Sequence, residues 1–385
     1  MTITTGRHDA EVHAALVSMV RDFARERVTP IAEELDASER FPSEVYAEMG
    51  QLGLFGITVP EADGGSGGSV RDYVAVMEEL SYGYASVADQ CGLVELIGSL
   101  LSKYGSEEQK LQYVPGLLAG RLRPAYALTE PEAGSDLGSL RTNARRDGKD
   151  WILNGEKVYI HNAPIADFAM VLALTDREKR QRGGMSMFLV PTDLPGVDNG
   201  YLEHKMGQRA SPVGGFTFTD VRLPESAMLG EEGAGFSAVL NVLEKGRLGI
   251  GALANGISRA ALDTATDHAV SRRQFGKPLG EFQAVAFSLA DMATDHRAAR
   301  QLLDHGADLI DAGEQAGPVS SMAKLFASEA AVRNTGRAVQ VLGGGGFIRG
   351  VLAERLYRDA RITTIYEGTS EVQRMIISRS LTRGR

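Results

Sequence analysis

The stretch Trp151-Ile152-Leu153-Asn154-Gly155-Glu156-Lys157-Val158-Tyr159-Ile160 sets the middle of this chain apart from both flanks. Two short runs of strand-forming residues surround an Asn-Gly pair. Asparagine and glycine readily take the positive φ of a tight hairpin turn, so a β-hairpin turned at Asn154-Gly155 is expected. Phe168 to Leu174 and Met185 to Val190 are apolar runs of strand length, and Phe216-Thr217-Phe218-Thr219 alternates as a half-buried strand should. The chain from about Pro124 to Leu229 therefore reads as a small β domain.

Both flanks read as helical. Leu16, Met19, Val20 and Phe23 recur at helix spacing, as do Val74, Met77 and Leu80. Pro42 opens a helix expected to run to Gly53, and Ser106 with Gln109 has the spacing of a capping box. Gly64 to Gly68 reads as a plain loop, because no phosphate-binding lysine follows it. After the β region, Phe282, Val285, Ala286, Leu289 and Met292 line one face of a long helix. Met322 to Leu342 continue in the same manner until Gly343 to Gly346 end the helix. The fold class expected is α+β: an N-terminal helical domain (1–122), a middle β domain (123–234) and a C-terminal helical domain (235–385).

Composition narrows the function. The 385 residues are 43% hydrophobic and 24% charged, enough for a sizeable core without disulfides. The lone cysteine, Cys91, sits in the apolar run Cys91-Gly92-Leu93-Val94 and reads as a buried structural thiol, which fits a cytoplasmic location. Net charge is −9 with no long basic run, which argues against nucleic acid or an anionic membrane as partner. Met1 to Asp9 lack the apolar core of a signal peptide, and no apolar run would span a bilayer. Seven scattered histidines give no metal-ligand spacing. Neither G-x-G-x-x-G after a strand nor a P-loop is present, so any dinucleotide must lie against loops from several segments.

Four motifs carry chemistry. In Ile365-Tyr366-Glu367-Gly368-Thr369-Ser370-Glu371-Val372-Gln373, Ser370 and Gln373 have capping-box spacing, which leaves Glu367 on a loop before a helix. A carboxylate on a rigid loop in apolar surroundings can have its pKa raised into the working range of a general base; a solvated loop glutamate is the ordinary alternative. Tyr126-Ala127-Leu128-Thr129-Glu130-Pro131 with Gly134-Ser135-Asp136 can present hydroxyls and N–H groups to a polar ring or a phosphate, or form an ordinary turn-rich loop. Arg272-Arg273-Gln274-Phe275-Gly276, then Gln283, offers cations and an aromatic to a pyrophosphate or adenine, or a solvated charge pair. Gln340 to Gly346 could admit a phosphate through open amides.

In this order the motifs resemble the acyl-CoA dehydrogenase family over nearly the whole chain, and its short-chain acyl branch most closely. Tyr126 to Asp136 is similar to the family's first signature, Arg272 to Gly276 to its R-x-x-F-G element, and Tyr357-Arg358-Asp359-Ala360-Arg361 running into Glu367 to its second signature. The resemblance implies helical, β and four-helix-bundle domains assembled as a homotetramer, with FAD between the β domain and the bundle. It implies that Tyr126, Leu128, Thr129, Gly134 and Ser135 line the flavin, with Tyr159 and His161 beside the isoalloxazine. Arg272, Phe275, Gln283, Gln340 and Gly344 would grip the ADP half across a subunit boundary, and Thr369 and Glu371 complete the cofactor site. Ser135, Glu244, Arg247 and Gly368 match substrate-side positions.

The implied reaction is FAD-dependent α,β-dehydrogenation of a short acyl-CoA thioester. Glu367 removes the α-proton and flavin N5 accepts the β-hydride, with electrons passed to an electron-transferring flavoprotein. Some branches carry the base at the residue before the conserved arginine; here that residue is Gly246, so Glu367 has no rival there. The family's tryptophan and hydroxyl residue beside the flavin are Tyr159 and His161 here, and a neutral imidazole could donate to N5 in the hydroxyl's place or be satisfied elsewhere. A carrier-protein acyl substrate is the nearest alternative. A flavin oxidase or monooxygenase, or a nucleic-acid-binding relative, is more distant.

Overall fold

We describe the protein from a computed structural model covering residues 3–382, with side chains from residue 10. The reading of Met1 to Asp9 thus lies, for Met1, Thr2 and the side chains up to Asp9, outside the described residues. The first helices are α1 (Ile3–Phe23), α2 (Ala32–Ser38) and α3 (Ser43–Gln51), followed by α4 (Val70–Gly83), α5 (Ala85–Tyr104) and α6 (Glu107–Leu118). Both α4 and α6 start on complete capping boxes, Ser69 with Asp72 and Ser106 with Gln109. Each box satisfies first-turn N–H groups that water or nothing would otherwise meet, which contributes on the order of 1 kcal/mol. Pro42 is the residue before α3, and that helix stops at Gln51, short of Gly53, which turns the chain at φ 70°.

An eight-stranded sheet follows. Its strands are β1 (Pro124–Ala127), β2 (Asn143–Asp147), β3 (Asp150–His161), β4 (Phe168–Leu174), β5 (Met185–Pro191), β6 (Val197–Asp198), β7 (Val213–Leu223) and β8 (Met228–Leu229). They are ordered β6-β7-β3-β2-β4-β5-β8, with β1 parallel to β4. The apolar run of β4 is buried along its whole length because both faces are covered. Phe168, Met170, Leu172 and Leu174 enter the main helical core, while Ala169, Val171 and Ala173 enter a second core with Trp151, Phe188 and Phe216.

The hairpin expected at Asn154-Gly155 is not there. Both residues lie inside the single strand β3, and the turn falls at Gly148-Lys149, closed by the Asp147–Asp150 pair with Gly148 at φ 65°. Asn154 instead exchanges hydrogen bonds with Asp220 on β7 (3.0 and 2.9 Å). Gly155 sits at a register shift, where a Cβ would come within 2.4 Å of Thr142 Oγ1. The pair that resembles a turn serves a bulge.

The last segment holds α7 (Gly235–Ser271), α8 (Gln283–Asp311), α9 (Gly317–Leu342), α10 (Leu352–Ala360) and α11 (Ser370–Thr382). Of the α8 stripe, Met292 is fully buried, while Val285, Ala286 and Leu289 are only half-covered within one chain. The three segments meet at Arg358, which binds Asp36 of α2 (2.6 and 3.0 Å) and Glu354, beside Asp359, which accepts the Gln208 N–H. No helix among the described residues is long and apolar enough to cross a membrane, and no group of three or more His, Cys, Asp or Glu among them could hold a metal ion. Cys91 is buried, and burial pushes its thiol up.

Candidate active site

After α10 the chain makes a 3-10 turn (Arg361–Thr364) and delivers Tyr366-Glu367-Gly368 to the inner end of the bundle. Glu367 has φ 54°, a left-handed conformation that costs a residue with a Cβ about 1–2 kcal/mol. Gly368 follows at φ 90°, where a Cβ would lie 2.7 Å from Gln373 Nε2. The strain persists because the loop carbonyls are pinned. Gln373 Nε2 donates to Glu367 O (3.2 Å) and Gly368 O (2.9 Å), and buried Lys324 Nζ donates to Gly368 O (2.7 Å). The Ser370–Gln373 capping box therefore does not form. Helix α11 begins one residue earlier, Thr369 Oγ1 accepts the Val372 N–H (3.3 Å), and Gln373 turns back to the carbonyls of Glu367 and Gly368.

Glu367 Oε2 is sealed from water and has no hydrogen-bond partner. Burial raises the carboxyl pKa; Lys324 and then Arg247 pull it back down, and Asp89 adds to the rise. Lys324 is itself pushed down to about 8, first by burial, with Glu367 opposing. Tyr126 Oη, near enough to feel Glu367, is also buried and unpartnered. A Cβ built on Gly246 would stand 3.2 Å from Glu367 Oε2, so the glycine leaves the carboxylate's front open. Glu244 points elsewhere, with its Oε1 2.8 Å from a Cβ built on Gly317 at the start of α9. A base must be ionised to act, so activity should rise with pH through the raised pKa of Glu367. Lys324→Met removes the strongest attraction for the ionised form, and that ascending limb should move to higher pH while Gln373 still tethers the loop; a pH–rate profile of flavin reduction checks this.

The first signature is clamped from beneath by a pair that sequence reasoning missed. Lys157, fully buried on β3, donates to Glu130 Oε1 (2.7 Å) and Leu128 O (2.9 Å), and Glu130 also accepts the N–H groups of Arg141 (2.5 Å) and Thr142 (3.0 Å). Removing one partner from such a buried pair costs about 3–5 kcal/mol. The only sequence signal was a charged residue among the strand residues of β3. Thr129 is held by its carbonyl, which accepts the Val158 N–H (3.0 Å). Around Gly134 there is open space, and the neighbouring Ser135 is exposed.

Tyr159 is 69% exposed with φ 56°. His161 is satisfied inside the protein: Gln90 Nε2 (2.8 Å) and Ser211 Oγ (2.5 Å) meet its Nε2, and Asp89 Oδ2 lies 3.4 Å from Nδ1. Burial lowers its pKa, with Asp89 opposing.

Beside the Glu367 loop lies a cavity of about 290 Å³ lined by Glu329, Arg361, Thr364, Ile365, Thr369, Ser370 and Glu371, with Ser370 Oγ buried and unpartnered. Arg272, Phe275, Gln283, Gln340 and Gly344 form no buried site within one chain. All are exposed, Phe275 at 93%, and a Cβ on any of Gly343 to Gly345 would meet nothing within 4 Å.

Comparison with known proteins accounts for this arrangement. Models of the N-terminal, middle and C-terminal domains of acyl-CoA dehydrogenase match residues 10–121, 125–221 and 233–382. An acyl-CoA dehydrogenase of Bacillus subtilis is 43% identical over 98% of this chain and 100% of its own length. The human mitochondrial short-chain specific acyl-CoA dehydrogenase is 43% identical over 97% of this chain and 90% of its own. The solved butyryl-CoA dehydrogenase of Megasphaera elsdenii superposes with a TM-score of 0.93 at 37% identity, over 96% of this chain and 98% of that one. The chain belongs to the acyl-CoA dehydrogenase family and is a flavin-dependent oxidoreductase.

Proposed function

We propose that the protein is an FAD-dependent dehydrogenase of short acyl-CoA thioesters in which Glu367 takes the α-proton. The observation that carries this reading is the Glu367 carboxylate: its Oε2 is sealed from water without a hydrogen-bond partner, its pKa is raised, and its loop is fixed by Lys324 and Gln373. A group so disposed has no evident structural task and is poised to receive a proton. Short acyl groups are supported by the butyryl-CoA and short-chain relatives.

The residues present fit FAD. Tyr126 Oη and Ser370 Oγ are buried polar atoms awaiting partners, and the backbone at Gly134 and Gly344 is open to close approach. Tyr126, Leu128, Thr129, Gly134, Ser135, Thr369 and Glu371 would hold the flavin half, with Tyr159 and His161 beside the isoalloxazine. Arg272, Phe275, Gln283, Gln340 and Gly344 of a neighbouring subunit in a homotetramer would hold the ADP half. When bound, FAD supplies the hydride acceptor.

The protein's own residues do the rest. Glu367 removes the α-proton, and its backbone N–H supports the thioester oxygen as charge develops there. Lys324 and Arg247 favour the ionised base, while Gly246 and Gly368 leave room for the substrate. The walls exclude water, which strengthens each of these interactions. An electron-transferring flavoprotein is the expected acceptor. The purified protein should be yellow with noncovalent FAD and should convert butyryl-CoA to a 2-enoyl-CoA with an artificial electron acceptor. A colourless protein that takes up no FAD, or one that leaves butyryl-CoA unchanged, would contradict the reading.

A further inference from the structure

We infer that Tyr73 sets the length of acyl group the enzyme accepts, by closing the channel that leads away from Glu367; this rests on the role of Glu367 proposed above. Gly246 and Gly249 lie one turn apart on the same face of α7. A Cβ on Gly246 would stand 3.2 Å from Glu367 Oε2, the buried oxygen without a partner, and a Cβ on Gly249 would stand 2.1 Å from Tyr73 Oη. Positions three apart on a helix have Cβ atoms about 5–6 Å apart. Tyr73 Oη is therefore about one helical turn from the carboxylate, on the same side of α7.

The facing wall agrees. On α5, a Cβ on Gly92 would meet Met77 Cε at 3.1 Å and Tyr73 Oη at 3.6 Å, and Leu96 Cδ1 would lie 3.9 Å from a Cβ on Gly246. Gly249 and Gly92 make way for Tyr73 and Met77 of α4, and Gly246 does the same for Glu367 one turn away, so the Tyr73 hydroxyl stands beside the base along α7. Tyr73 is 2% exposed. Behind its ring stands Lys245 Nζ, 5.9 Å from the ring centroid, held by Glu95 (2.7 Å), Ser99 (2.5 Å) and Thr58. The ring thus has the Lys245–Glu95 ion pair beside it. A stop about one helical turn from the base suits a short acyl group rather than a long one.

The test is the length profile of saturated acyl-CoAs from propionyl to decanoyl, read as anaerobic flavin reduction and as binding by isothermal titration. Wild-type enzyme should lose at least about tenfold in kcat/KM between butyryl- and octanoyl-CoA, since a pocket that fits one chain rejects excess methylenes by about 10–200-fold each. Tyr73→Ala should recover octanoyl-CoA at least about tenfold relative to butyryl-CoA. Tyr73→Phe, which removes only Oη, should relax the limit less than Tyr73→Ala does. Gly249→Ala attacks the same contact from the opposite wall; it should press the ring into the channel and shift preference from butyryl- toward propionyl-CoA. A wild-type enzyme that takes octanoyl- as well as butyryl-CoA would overturn the inference. So would folded, FAD-loaded Tyr73→Ala and Gly249→Ala variants with the wild-type profile. If no acyl-CoA reduces the flavin, the role of Glu367 fails instead, and the binding titration still reports the length limit.

Discussion

Replacing Glu367 by glutamine is expected to slow flavin reduction by substrate by about two to four orders of magnitude, the usual contribution of a positioned general base. Glutamine keeps the shape, and the hydrogen bonds that fix the loop come from Lys324 and Gln373 to backbone carbonyls rather than to the side chain. FAD content and acyl-CoA binding should therefore stay near wild type, because an interaction used in the transition state affects rate more than ground-state affinity. Gly246 offers no second carboxylate, so the residual rate should be that of a site without a base. Adding Gly246→Glu to the Glu367→Gln variant places a carboxylate from the opposite wall, on a Cβ only 3.2 Å from where Oε2 stood, and partial recovery is expected. A Glu367→Gln enzyme that reduces its flavin at the wild-type rate in anaerobic stopped flow would place the base elsewhere.

The second large effect concerns Arg272. The exposed strip after α7 and α9 holds Phe275 at a positive φ and 93% exposed, with Phe347 nearly as bare, while the first turns of α8 leave Val285 and Leu289 half-covered. Apolar surface so displayed is the mark of a surface that meets a partner. If Arg272 holds the ADP half of a neighbouring subunit's FAD, Arg272→Ala should weaken FAD retention at least about tenfold, the worth of a charge-assisted hydrogen bond. It should weaken the tetramer as well, since a cofactor bound only by the assembled state stabilises that state. Sedimentation and flavin release measured together would check this. Unchanged FAD affinity, or normal affinity in a demonstrated monomer, would contradict it.

Local signals were legible wherever a short stretch determines its own geometry. Ser106 and Gln109 are a capping box in fact as in pattern, and the apolar runs from Phe168 and from Met185 are strands. Signals failed where a distant partner decides. Asn154-Gly155 has a turn's composition, but Asp220 and Thr142 meet it from neighbouring elements and hold it in a strand. Ser370 and Gln373 have the right spacing, yet the carbonyls of Glu367 and Gly368 compete for the glutamine amide and win. The Lys157–Glu130 clamp and the Asp89–His161–Ser211 network join residues far apart in sequence, and no periodicity announces them. The loop before α11 makes Glu367 a candidate base and the resemblance favours it; its strain and its sealed, unpartnered Oε2 are visible only in three dimensions.

Anaerobic titration of the purified holoenzyme with butyryl-CoA tests the central claim most directly. The oxidised flavin spectrum should bleach in proportion to added thioester, with 2-enoyl-CoA formed in equal amount to flavin reduced. A flavin that stays oxidised under an excess of butyryl-CoA, in a protein shown to bind it, would contradict the account.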